Sequence, residues 1–180
     1  VFANAGDHRF DQVADAVVGI PAAPSPLPVI LNTMAGHLWG YYAASAIDGE
    51  AQIFREFRGR LSVELTQRRQ ENLSVFDLVA DVSLRRMINE FYALFNAHRQ
   101  SGAFGALGGK TMTDLMLLLK YAAGKLPLQE IRQDFKEEKD LFSPYDLLDM
   151  TLGTAIDELT RPIDAIRHQA KTVTVGTSRK

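Results

Sequence analysis

SVFDLVADVSLRRMINEFYALFNAHRQ, residues 74–100, decides the fold class of this chain. Phe76, Val79, Ala80, Met87, Phe91, Leu94 and Phe95 recur mostly at three- and four-residue steps, which stack side chains on one face of an α-helix. The reading extends in both directions. Upstream, EAQIFREFRGRLSVELTQRRQE (50–71) is helix-compatible throughout. Downstream, the glycine-rich turn SGAFGALGG (101–109) leads into KTMTDLMLLLKYAAG (110–124) and a shorter amphipathic piece, PLQEIRQDFKEE (127–138). A last helix is predicted from Pro144 to about Ala170, with Ser143 at its N-cap and Pro144 at its first position. Pro162 marks a kink or restart within it. These helices suffice to bury an apolar core as a bundle.

The two ends read differently. DQVADAVVGIP (11–21) alternates and then turns continuously apolar from Val13 to Ile20, the pattern of a strand ending in a parallel sheet. Pro21, Pro24, Pro26 and Pro28 stiffen the connection into an apolar helix expected from Val29 to Ile47. Leu31, Met34, Ala35, Leu38, Trp39, Tyr42 and Ala43 predict burial of that helix on more than one side, and Asp48 with Gly49 predicts its stop. At the other end, Lys171 begins a β-branched run, KTVTV (171–175). The expected fold class is mainly α: a helical, bundle-like insertion with short terminal β segments from a partial α/β domain. The predicted divisions are 1–49, 50–160 and 161–180.

Composition bounds the function. The 180 residues are 46% hydrophobic, enough for a sizeable core, and the net charge of −2 predicts no strong field for nucleic acid. Zero cysteines exclude disulfides, thiol chemistry and thiolate metal sites, and fit a cytoplasmic setting. The longest apolar candidate, PVILNTMAGHLWGYYAASAI (28–47), is interrupted by Asn, His and Ser, so no membrane span is expected. The opening VFANAGDHRF lacks signal-peptide layout, and a start on Val1 points to a piece of a longer chain.

Few motifs carry chemistry. GAFGALGGKT (102–111) ends like a phosphate-binding loop, but Phe104 stands where a glycine is required, which predicts a flexible helix–helix connection with Lys110 at the surface. His37 reads as a satisfied or partly exposed core imidazole and His98 as a helix-end residue, while His8 and His168 have no metal-ligand spacing. No cofactor or metal is expected. The pairs Asp77/Asp81 and Asp134/Glu138 share helix faces at four-residue spacing, as exposed pairs commonly do. Lys171, at a helix–strand junction, is the candidate nucleophile: a neutral amine there forms an imine with a sugar carbonyl. Thr172 and Thr174 are candidate phosphate donors.

ADAVVGIPAAPSPLPVILNTMAGHLWGYYAASAIDG (14–49) resembles the last strand and helix of a sugar isomerase (SIS) domain in the family of glucosamine-6-phosphate synthase. HQAKTVTV (168–175) is similar to that family's closing segment, whose lysine reacts with an open-chain hexose phosphate. The resemblance implies an SIS-type sugar-phosphate isomerase or aminotransferase-like parent, with Lys171 forming the imine and Thr172 and Thr174 near substrate. It also implies a homo-oligomer assembled through SIS domains, with residues 50–160 inserted between two family segments. RPIDAIRHQ (161–169) departs from the family pattern, as does Gly176. The family's sugar-phosphate loop, base and ring-opening histidine precede these segments, so the chain is expected to be inactive by itself. The competing reading is a non-enzymatic helical module for protein interaction, assembly or regulation, with the arginine clusters FREFRGR and LRRM beside apolar faces.

Overall fold

The computed structural model describes residues 1–135 and 143–172. The fold is mainly α with two short parallel strands: β1 (Phe2–Asn4), β2 (Val18–Ile20), α1 (Leu27–Gln70), α2 (Val75–Ala80), α3 (Val82–Gln100), α4 (Gly109–Ala122), α5 (Ile131–Asp134) and α6 (Pro144–Thr172). A 3-10 turn, Leu128–Glu130, precedes α5. The chain divides into two compact units, Val1–Ala46 and a second beginning at Ile47.

In the first unit β1 and β2 pair in parallel, with Phe2 opposite Val18, Ala3 opposite Gly19 and Asn4 opposite Ile20. The Ala5 amide extends the ladder to the Ile20 carbonyl at 2.8 Å. β2 is shorter than the predicted Val13–Ile20 because the chain turns through Phe10–Ala14, where the Val13 and Ala14 amides both donate to the Phe10 carbonyl. Ala44 is buried, but Met34, Leu38, Trp39 and Tyr42 are exposed, so the expected burial on several sides does not hold for the helix between Leu27 and Ala46.

α1 does not stop at Asp48–Gly49. It continues to Gln70, and Ala51, Phe54, Phe57, Leu61 and Leu65 follow at helical spacing and are all buried in the second unit. A mid-helix glycine costs about 1 kcal/mol; burying one Phe or Leu returns roughly 1.5–3 kcal/mol, so continuation wins.

Residues 74–100 split into two helices at Asp81. Ser74 and Asp77 form a reciprocal capping box on α2, and Asp81 ends α2 while its carboxylate accepts the Leu84 amide at the start of α3. The break changes the face predicted from one continuous helix. Met87, Phe91 and Phe95 are buried as expected and are joined by Leu78, Leu84 and Ile88, whereas Phe76 and Leu94 are exposed. Phe54 contacts Phe91 and Phe95 edge-on, with ring centroids 6.0 Å away, and Phe57 stacks on Phe91 at 3.7 Å.

α4 packs along α6. Leu115, Leu118, Leu119 and Ala122 meet a core shared with Tyr145, Leu148, Leu152, Ala155 and Leu159. The Tyr145 hydroxyl donates to the Ala122 carbonyl at 3.0 Å, and burial pushes its pKa well above that of an exposed tyrosine. Ser143 caps α6 as predicted, accepting the Tyr145 amide through its hydroxyl at 3.3 Å. α6 runs through Pro162 without a restart. No described helix is long and apolar enough to cross a membrane.

Candidate functional site

Lys171 and Thr172, expected to open a strand, belong instead to the last turn of α6. Extending an existing helix needs no new nucleus, and β-branched threonine costs only tenths of a kcal/mol there, so local β propensity is overridden. Thr174, the remainder of KTVTV, and Glu138 lie outside the described residues. The placed part of the candidate substrate site is therefore the backbone of Lys171 and Thr172.

One turn and more before Lys171, α6 and α1 line an open groove of about 750 Å³ with Arg55, Thr154, Asp157, Glu158, Thr160, Arg161 and Asp164 on its walls. Arg55 Nη2 donates to Asp48 Oδ1 and Thr160 Oγ1, each at 2.6 Å. The Arg55 bond and charge, aided by the Thr160 hydroxyl, lower the Asp48 pKa despite partial desolvation. Asp48 thus anchors α1 to α6 from within the helix it was expected to end. Residues 112 apart make the Thr160–Asp48 hydrogen bond, a pairing with no local sequence signal.

Glu158, two residues before Thr160 in α6, explains the glycine-rich segment. Its Oε2 accepts the Gly108 amide at 2.8 Å and its Oε1 accepts the Thr111 hydroxyl at 2.7 Å. A Cβ on Gly108 would lie 3.3 Å from Oε1, so glycine allows the carboxylate to approach. The start of α4 already holds an internal anion at the positive end of its dipole, which supports rejection of a phosphate loop. The preceding turn is also tied down: Phe104 is buried in a left-handed backbone conformation, φ 66°, and its amide donates to Glu50 Oε2 at 2.7 Å. Lys110 is exposed and pairs with Asp114 at 2.7 Å.

The arginine clusters are largely committed within the second unit. Arg58 makes a forked pair with Asp149, at 2.8 and 2.9 Å, passing over Gly153, where a Cβ would come within 3.1 Å of the guanidinium. Arg69 pairs with Asp146. Arg68 is 8% exposed and donates to Glu64, Asp81 and Ser83. Arg60 and Arg86 instead rim a groove of about 500 Å³ between α1 and α3 with Val63, Leu84 and Met87 among its lining.

His8 and His98 make local contacts. His98 Nδ1 meets the Leu94 carbonyl at 2.9 Å and its ring stacks near Phe104, His8 pairs with Asp11 at 2.8 Å, and His37 is exposed rather than a core imidazole. Among the described residues no group of histidine, cysteine or carboxylate side chains could hold a metal. Asp77, which is exposed, and Asp81 serve as helix caps, while Asp134 accepts the Tyr121 hydroxyl at 2.6 Å. No protein-family model, curated protein or solved structure matches the chain.

Proposed function

We propose that this chain is the closing part of an SIS-type sugar-phosphate isomerase or aminotransferase-like protein, with a helical unit built into it. The parallel β1–β2 pair, feeding through a proline-rich connection into α1, carries this reading. Parallel strands belong to covered α/β sheets, and two short strands are too few to be stable independently. Unit one therefore reads as the edge of a larger sheet, in agreement with the resemblance of residues 14–49.

In that parent, Lys171 acts as the amine. After ring opening, its neutral Nζ attacks the sugar carbonyl carbon, water leaves, and the imine permits proton transfer between neighbouring carbons. Thr172 and Thr174 hold phosphate oxygens. The partners are a hexose phosphate and further copies of the protein, in a cytoplasmic setting. The chain by itself lacks the oriented groups that supply most of the rate enhancement and is inactive.

The test is borohydride trapping with fructose 6-phosphate, comparing the longest natural chain that carries this sequence with its Lys171→Ala variant. Substrate-dependent labelling in the first and none in the second is expected. Labelling that survives the substitution overturns the role of Lys171. A second reading, a non-enzymatic interaction module, is favoured by the self-contained core of the second unit and its open groove between α1 and α3. Absence of labelling in both proteins would favour it.

A further inference from the structure

We draw no further inference here: the strongest candidate, the open groove between α1 and α3 lined by Val63, Leu84 and Met87, carries Arg60 and Arg86 together with Glu64 and Glu90, so its charges select no partner, and nothing in the structure shows what covers it.

Discussion

Arg68 on α1 donates through Nε to Asp81 Oδ2 at 2.9 Å, joining a nearly buried guanidinium to the residue that ends α2 and caps α3. Arg68, the Leu84 amide and the Ser83 hydroxyl all favour the carboxylate and hold the Asp81 pKa well below the usual range. One side chain therefore fixes the helix break and neutralises an interior charge.

Asp81→Asn should destabilise the fold by about 2–3 kcal/mol: asparagine still caps α3, but the nearly buried Arg68 loses one of its two counter-charges. The pH dependence has a definite sign. A carboxylate with a depressed folded-state pKa contributes fully above its unfolded value, about 3.9, and that contribution is lost as pH falls through the folded value. Urea unfolding of the wild type from about pH 6 to about pH 2, which enters the upper part of that window, should show stability falling with acid, and Asp81→Asn should show a shallower fall. A variant with the same slope would remove Asp81 from the acid response.

The course of α1 through Asp48–Gly49 can be tested with opposite-sign substitutions. Gly49 has open space at its Cβ position, so Gly49→Ala should stabilise by about 0.5–1 kcal/mol in an uninterrupted helix. Gly124 has φ +68° and a Cβ there would meet Val79 at 3.1 Å, so Gly124→Ala should destabilise by about 1–2 kcal/mol. Thermal unfolding of both distinguishes helix interior from turn. A destabilising Gly49→Ala would indicate a helix stop at that position.

Glu158→Ala removes the acceptor shared by the Gly108 amide and Thr111 hydroxyl. A loss of about 1–2 kcal/mol is expected, together with faster hydrogen exchange at the first turn of α4. Added phosphate should not restore protection, since the site is shaped for an internal carboxylate.

Phe54 is fully buried at the meeting point of Phe91, Phe95 and Phe104. Phe54→Ala should cost about 3–5 kcal/mol, because a close-packed aromatic cluster collapses poorly around a cavity. Calorimetry should show a lower transition temperature. An unchanged transition temperature would contradict the buried position of Phe54 in the aromatic cluster.

The sequence by itself determined the helical class, the cap at Ser143 and the Met87–Phe91–Phe95 part of the core through residue periodicity, because these depend on neighbours three or four positions away. It did not reveal β1, whose three residues carry almost no local pattern and are held by pairing with β2. Tertiary structure alone decided that α1 passes through Gly49, that Phe104 anchors a glycine-rich turn, and that Glu158 occupies the start of α4. Those outcomes rest on Asp48 meeting Thr160, Glu50 meeting Phe104 and Glu158 meeting Thr111. Each joins residues about fifty to more than a hundred positions apart, so its free energy exists only after the helices pack and leaves no spacing in the chain to read.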